Sequence, residues 1–104
     1  MTRPRLGVVF WTRAARQVEA AGQWWSENRQ GSPEALPEEL GRVLDLIARQ
    51  PGVGVPATNL RLSGVRRILL PRVEYFLFYR LARRRQVVEV LAFWHARRGS
   101  SPKL

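Results

Sequence analysis

The sequence contains no cysteine, and only one histidine, one methionine and two tyrosines among its 104 residues. Without thiols there is no disulfide framework, no sign of an oxidising compartment and no cysteine-based zinc site. One imidazole and eight acidic side chains give no support for a metal site. Gly52-Val53-Gly54 follows a predicted helix, whereas a phosphate-binding loop leads from a strand into one. We therefore predict no metal and no cofactor.

Long apolar runs are also absent. No stretch approaches the ~20 residues that a membrane-spanning helix needs. The opening MTRPRLGVVFWTR has basic residues followed by an apolar patch that is too short for the core of a signal peptide. We therefore expect a cytoplasmic protein without membrane contact.

Acidic residues are scarce in the second half of the chain. Residues 61–104 hold eleven basic and two acidic side chains, a net charge of +9, whereas residues 1–60 hold seven and six, a net charge of +1. Lys103 is the only lysine, so the excess charge is carried by guanidinium groups, which suit bidentate contacts to phosphate and carboxylate. This asymmetry predicts an anionic partner, although a solubilising basic face would give the same count.

The first half of the chain predicts a strand and two helices. The run Leu6–Trp11 is apolar and β-rich, and Thr12 then stands as a helix N-cap. An apolar stripe that includes Val18 and Trp25 predicts a helix to about Asn28. Ser32 and Pro33 predict the N-cap and first residue of a second helix, which Gln50-Pro51-Gly52 ends, and Pro37 favours a slightly later start.

The second half predicts three strands after a loop over 51–64. Alternating apolar residues indicate strands at Val65–Leu70, Glu74–Leu81 and Gln86–Trp94. The length indicates one domain over 1–104, with flexible ends at about 1–5 and 99–104. The predicted fold class is α+β in the order β-α-α-β-β-β, with an antiparallel sheet packed on a two-helix hairpin and the first strand at the sheet edge.

Four stretches in this order resemble the RelE/ParE family of toxins from bacterial type II toxin–antitoxin systems. The chain is similar to that family over about residues 8 to 99, and its ending is most similar to the ParE side. The stretches are VFWTRAA at 9–15, GVRRILL at 64–70, YFLFYR at 75–80 and VLAFWHARRG at 90–99. The resemblance implies a growth-inhibiting toxin that is neutralised by a cognate antitoxin in a protein heterocomplex. RelE-like members cut messenger RNA on the ribosome, whereas ParE-like members inhibit DNA gyrase by binding.

The candidate site residues come mainly from the basic second half. For RNA cleavage, which requires a base, an acid and positive charge, the candidates are His95, Arg66, Arg80 and Arg97. For target binding, the candidates are Arg61, Arg67, Arg72, His95, Arg97 and Arg98. For antitoxin binding, they are Trp24, Arg66, Arg67 and Arg80.

The sequence favours the gyrase-directed, non-enzymatic alternative because the nuclease set is incomplete. Glu74 and Glu89, the only carboxylates of the second half, have no spacing that suggests an acid/base pair, and a lone histidine at a strand end is typical of packing. The ribosome-dependent endonuclease remains the alternative. A basic nucleic-acid-binding module without toxicity is the third.

Overall fold

The computed structural model describes residues 5–104, so most of the predicted flexible segment at 1–5 lies outside the described residues. The chain order is β1 (Gly7–Phe10), α1 (Thr12–Asn28), α2 (Ala35–Arg49), β2 (Val55–Pro56), β3 (Arg66–Leu70), β4 (Tyr75–Ala82) and β5 (Val87–His95). The strands form one sheet in the order β1-β5-β4-β3-β2. The predicted α+β class is confirmed: β3, β4 and β5 form an antiparallel meander, and β1 joins its edge parallel to β5.

One strand was not predicted from the sequence. β2 has only two residues, Val55 and Pro56, which pair with Arg67 and Arg66 at the far edge of the sheet. Two residues are too few to show the alternation that indicates a strand. Because β2 is so short, it leaves most of the outer edge of β3 uncovered.

Neither predicted N-cap is the observed one, but α2 does start later than Pro33, as Pro37 favours. Thr12 is the first helical residue, and the extended Trp11 is the N-cap because its N–H still donates to the Val90 carbonyl, 3.0 Å away. The N-cap of α2 is Glu34, not Ser32, because the Glu34 carbonyl accepts the first helical hydrogen bond, from the Glu38 N–H at 3.0 Å, whereas the Ser32 carbonyl accepts the Trp25 indole at 2.7 Å. Pro37 therefore falls in the first turn of α2, where no backbone donor is needed.

The helices cover one face of the sheet and build the main core. Val43 and Ile47 of α2 and Ala14 and Trp25 of α1 are buried against the sheet. α1 also replaces β1 where that strand ends, because the side chain of Gln17 accepts the backbone N–H of Phe93 at 2.8 Å. Because β1 pairs with β5 only as far as Val90, the Phe93 N–H has no strand to donate to, and Gln17 satisfies it.

A β-bulge in β5 changes which side chains face the helices. Phe78 pairs with Ala92 and Tyr79 with Val90, so Leu91 is an extra residue with no partner of its own in β4. Strict alternation would place His95 on the same face as Glu89 and Leu91. The bulge breaks that alternation, and His95 instead lies beside Tyr75 on the helix side.

Two of the last residues are buried although 99–104 is predicted to be flexible, while residues 99–101 are exposed. This segment crosses the sheet face opposite the helices, where Pro102 and Leu104 are buried. The Leu104 carbonyl accepts the backbone N–H of Arg61 at 2.8 Å, and the Lys103 carbonyl accepts a hydrogen bond from the Arg13 guanidinium at 2.6 Å. This segment packs against the sheet because the apolar side chains beneath it, which include Phe78 and Leu91, would otherwise contact water.

Candidate functional site: an arginine and aromatic face of the sheet

The sheet face opposite the helices carries two arginines stacked on two aromatic rings. Phe76 of β4 and Trp94 of β5 are register partners, so their side chains lie next to each other. The guanidinium carbon of Arg67 lies 4.5 Å from the centre of the Phe76 ring, and that of Arg98 lies 4.2 Å from the Trp94 ring. These distances are within the ~6 Å of a cation–π contact, which fixes the orientation of both guanidinium groups.

The two stacked arginines border one concavity of ≈ 170 Å³, which we call the sheet-face site. Its lining includes Arg67, Phe76, Trp94, Arg98 and Ser100. Within residues 5–104, no carboxylate lies at ion-pair distance from Arg67 or Arg98. Two oriented guanidinium groups without a counter-ion can bind an anionic group of a partner, either phosphate or carboxylate.

His95 is the last residue of β5, and although its ring lies on the helix side, the residue also lines the end of the sheet-face site. The imidazole packs edge-on against the Tyr75 ring, with 5.0 Å between ring centres. Its Nδ1 accepts the backbone N–H of Arg97 at 3.1 Å. In this arrangement Nδ1 is used within the protein, and Nε2 is the nitrogen that is left for a partner.

Other predicted target-binding arginines are held by the protein itself. Arg97 contacts Glu74 at 3.1 Å, and Arg72 contacts Glu38 at 3.3 Å. Arg61 lies apart from both, in a groove that the C-terminal residues form with residues 59–61. The six predicted target-binding residues therefore do not form one site: Arg67, His95 and Arg98 line the sheet-face site, Arg97 lines a neighbouring cavity with His95 and Arg98, and Arg61 and Arg72 lie elsewhere.

Arg66 and Arg80 lie at the opposite end of the sheet from His95. Arg66 faces the helix side and Arg80 the other side, and both residues, with Arg83, line a second cavity. The Arg80 guanidinium donates through Nε to Glu89 at 2.9 Å and stacks over the Trp11 ring at 5.5 Å. Hydrogen bonds from the Trp11 indole and from Arg80 lower the pKa of Glu89 below its ordinary value, so this buried carboxylate is ionised. Glu89 therefore orients Arg80 and is not available as a catalytic acid.

Trp24 borders a third cavity, of ≈ 380 Å³, between the end of α1 and the end of β5. Its indole is 43% exposed, while its neighbour Trp25 is buried, as the helical spacing predicted. The lining includes Tyr75, His95 and Arg98 as well. Burial raises the pKa of Tyr75 above its ordinary value, and the nearby Arg98 partly offsets this, so the phenol is neutral. The four predicted antitoxin-binding residues thus border three separate cavities.

The other tyrosine of the chain is a structural group. The Tyr79 hydroxyl donates to the Pro51 carbonyl at 2.9 Å and accepts the Gly54 N–H at 2.8 Å. Burial raises the pKa of this phenol above its ordinary value, with smaller opposing effects from Gly54 and Arg66. With both functions of the hydroxyl satisfied, Tyr79 anchors the loop after α2 and does not serve as a proton donor.

Sequence reasoning missed two features of this surface. It gave no role to Arg83, because a basic turn is typical of solvent-exposed residues, and it did not pair Phe76 with Trp94. The pairing depends on strand register, which alternation alone does not determine. Within residues 5–104, the structure shows no cluster of three side chains able to hold a metal ion, and no described helix is long and apolar enough to cross a membrane.

Comparisons with known proteins agree with this architecture. Residues 8–99 match the family model described as the ParE toxin of the type II toxin–antitoxin system parDE. No curated protein sequence gives a significant match.

Three solved structures share the fold at low sequence identity. A chain of the toxin–antitoxin complex RelBE2 from Mycobacterium tuberculosis has a TM-score of 0.64 at 24% identity, covering 88% of this chain and 99% of that one. A chain of the chromosomal ParDE system from P. aeruginosa has a TM-score of 0.68 at 13% identity, covering 88% and 96%. The isolated RelE toxin of E. coli has a TM-score of 0.54 at 20% identity, covering 91% and 88%. The family model matches most of the chain, and the fold is the α+β arrangement described above. This protein therefore belongs to the RelE/ParE family of toxins from type II toxin–antitoxin systems.

Proposed function

We propose that this toxin inhibits DNA gyrase by binding to it, without catalysing a reaction, and that a cognate antitoxin neutralises it. The family model that matches residues 8–99 is that of ParE toxins, which supports this side of the family. The solved structures include both ParDE and RelE chains, and at 13–24% identity they support the fold alone. The chemistry of the site is therefore the further support for gyrase as the target.

The observation that carries the proposal is that the sheet-face site has two guanidinium groups without a carboxylate partner in the described chain, while His95, the one imidazole in its lining, accepts a backbone N–H through Nδ1. RNA cleavage requires a base for the 2′-hydroxyl and an acid for the leaving oxygen. His95 uses its acceptor nitrogen internally, and the two carboxylates of the second half, Glu74 and Glu89, are bound to arginines. The charged groups of the site that are left for a partner are Arg67 and Arg98, which are suited to bind an acidic surface.

The proposed antitoxin is an acidic, amphipathic chain that covers Trp24, Arg66, Arg67 and Arg80. Because these residues border separate cavities, such a chain must be extended and must cross the sheet. The β3 edge supports this path: Val55 and Leu69 are exposed large aliphatic residues, and β2 covers only two residues of β3. An added strand would pair with the remaining edge and bury both side chains.

Two parallel assays with purified protein test the target. In a gyrase supercoiling assay we expect loss of supercoiling, and in a translating ribosome extract read by primer extension we expect intact messages. Codon-linked cuts with unaffected gyrase would overturn the proposal in favour of the endonuclease. An absence of both effects would favour a nucleic-acid-binding protein without toxicity. The cytoplasm, where gyrase and ribosomes work, is the proposed location.

A measurement of antitoxin affinity tests the partner. The neighbouring reading frame should encode the antitoxin, and the complex can be titrated with the Trp24→Ala, Arg66→Ala, Arg67→Ala and Arg80→Ala variants. Each is expected to weaken binding by about tenfold or more, as for an interface hot spot. If all four stay within a few-fold of the parent, the antitoxin binds elsewhere.

A further inference from the structure

Ser100 lies at the border of the sheet-face site, in a segment of the chain that is open to solvent. Its carbonyl accepts a hydrogen bond from the Trp94 indole at 2.7 Å, and the residue lines the same concavity as Arg67 and Arg98. Residues 99–101 are exposed and belong to neither a helix nor a strand. An exposed segment without regular structure is the kind of chain that a modifying enzyme can bind.

The Trp94 ring brings Ser100 and Arg98 to the same place. The guanidinium carbon of Arg98 lies 4.2 Å from the ring centre, while the indole N–H of this ring donates to the Ser100 carbonyl. Register partners project from the same side of a sheet, so Phe76 lies beside Trp94, and Arg67 stacks on Phe76 at 4.5 Å. Ser100 and the two guanidinium groups are therefore gathered on one face of the sheet.

The two arginines of this face differ from others in the chain because they have no counter-ion within residues 5–104. Arg72, Arg80 and Arg97 each lie within 3.3 Å of a carboxylate oxygen. An anion that reached both Arg67 and Arg98 would form charge-assisted hydrogen bonds with each of them. Among the described residues the site holds no carboxylate, but it holds a serine hydroxyl that can be converted into an anion.

The concavity suits a phosphoryl group on Ser100 in size and in chemistry. Its volume of ≈ 170 Å³ is below the range of about 300–1,000 Å³ that is typical of pockets for whole small molecules. A phosphoserine carries a charge of about −1.5 to −2 at neutral pH and has three strong acceptor oxygens. One oxygen can bind Arg98 while another binds Arg67. Because both guanidinium groups are already ordered on aromatic rings, little conformational entropy is lost when they pair.

We propose that Ser100 is a phosphorylation site, and that its phosphoryl group pairs with Arg67 and Arg98 and closes the sheet-face site to gyrase. A separate protein kinase transfers the γ-phosphoryl group of a nucleoside triphosphate to the Ser100 Oγ. The bond from Oγ to phosphorus forms as the bond from the β,γ-bridging oxygen to phosphorus breaks. Nucleoside diphosphate leaves, and the hydroxyl proton passes to a base of the kinase. The closing to gyrase rests on the proposed function, whereas the ion pairs do not.

The first experiment measures the ion pairs directly, by phosphorus NMR of the purified full chain that carries phosphoserine at residue 100. Two arginines that favour the doubly charged phosphate should lower its second pKa from about 6 to about 5 or less. Arg67→Ala and Arg98→Ala should each raise this pKa again. Arg16→Ala is the matched control, since it removes the same charge from an exposed residue of α1, and it should leave the pKa unchanged.

Two results of the NMR titration would overturn the inference, whatever happens with gyrase. One is a phosphate whose pKa stays at about 6 in the parent chain, as for a phosphoserine without partners. The other is an equal change of the pKa in Arg16→Ala and in the two variants of the site, which would indicate general attraction by a basic protein.

The second experiment compares gyrase inhibition with and without the phosphoryl group. Phosphoserine at residue 100 should raise the concentration needed for half-inhibition of supercoiling by about tenfold or more, as for the loss of an interface hot spot. The control carries phosphoserine at residue 63, since Ser63 is an exposed serine that lines neither the sheet-face site nor the cavity beside Trp24. It should stay within about twofold of the unmodified chain. Circular dichroism confirms that each protein is folded.

The outcomes separate this inference from the proposed function. Inhibition that is equally strong with and without the phosphoryl group, or equally weakened by phosphoserine at residues 63 and 100, overturns the closing of the site and leaves gyrase inhibition standing. A toxin that inhibits gyrase in neither form contradicts the proposed function, while the NMR titration still decides the ion pairs. Mass spectrometry of the toxin–antitoxin complex from its own cells should find phosphate on Ser100, and an unmodified Ser100 in both growing and starved cells would overturn the inference.

Discussion

The indole of Trp11 and the carboxylate of Glu89 are joined by a 3.1 Å hydrogen bond across 78 residues of sequence. Trp11 is the N-cap of α1, and Glu89 lies on β5, so this bond ties the start of the helix layer to the sheet. The same carboxylate accepts the Arg80 guanidinium, and only 8% of Glu89 is exposed. The start of α1, the strand β5 and the orientation of Arg80 therefore depend on one buried charge.

This arrangement predicts a loss of stability in acid. The Trp11 and Arg80 hydrogen bonds lower the pKa of Glu89 below 4.5, so its contribution is fully present above pH 4.5 and is lost as the pH falls through the folded-state value. Replacing the charge with Glu89→Gln is expected to lower the free energy of unfolding by about 1–3 kcal/mol at neutral pH. Urea unfolding followed by fluorescence from neutral to acid pH measures both effects.

The matched control for this prediction is Glu19→Gln, which removes an exposed carboxylate from α1. It should keep both the stability and the pH slope of the parent, whereas Glu89→Gln should show a shallower slope below pH 4.5. If both variants kept the slope of the parent, Glu89 would not be the group that links stability to pH.

A second prediction concerns the close approach of Gly54 to the sheet. A Cβ at this position would lie 2.6 Å from the Tyr79 hydroxyl and 2.8 Å from the Arg67 carbonyl, and the carbonyl belongs to the backbone and cannot turn aside. Gly54→Ala should therefore destabilise the fold by about 1–3 kcal/mol, as overpacking does. Gly52→Ala, where a Cβ would meet nothing within 4 Å, is the control and should stay close to the parent. Thermal unfolding of both variants and of the parent measures this difference in stability.

A third prediction concerns the packed residues at the end of the chain. Leu104 is 9% exposed and contacts the apolar cluster that includes Phe78 and Leu91. Leu104→Ala is expected to cost about 2 kcal/mol, at the lower end of the range for buried leucines because this cluster lies near the surface. Lys103→Ala, which shortens an exposed side chain, should cost far less. If the two variants unfold at the same urea concentration, the segment does not contribute to stability.

The element order could be predicted from the sequence because the periodic patterns are long. The two apolar stripes and three alternating runs correspond to α1, α2, β3, β4 and β5 with ends shifted by only a few residues. The starts of the helices could not be predicted in the same way. The start of α1, for example, coincides with a contact between residues that are distant in sequence, the Trp11 N–H on the Val90 carbonyl, which no local propensity reveals.

The site was predicted less well, and the reason is geometric. A single extra residue at Leu91 reverses the alternation of β5, and this decides that the His95 ring packs against Tyr75. Which arginines are free also depends on partners that are distant in sequence. Arg72 is paired with Glu38 of α2, while Arg98, which is equally basic in sequence, has no carboxylate partner within residues 5–104.

A fourth prediction concerns binding by the two arginines of the sheet-face site. Arg67→Ala and Arg98→Ala each remove a guanidinium group that is stacked on an aromatic ring and has no counter-ion in the described chain. Under the proposed gyrase inhibition, each should raise the concentration needed for half-inhibition of supercoiling by about tenfold or more, as for interface hot spots. Arg61→Ala, which removes the same charge from a separate groove, should change it by less than twofold.

His95→Ala gives the opposite expectation under the two functions. The structure uses His95 for packing against Tyr75 and for accepting the Arg97 N–H, so its loss should cost about 1 kcal/mol of stability. Most of the gyrase inhibition by the folded protein should remain. A general base in a nuclease would instead contribute about 10²–10⁴ to the rate of cleavage. If His95→Ala abolishes activity at a temperature where circular dichroism shows it folded, while Arg98→Ala does not, then His95 is a catalytic residue and inhibition by binding alone is wrong.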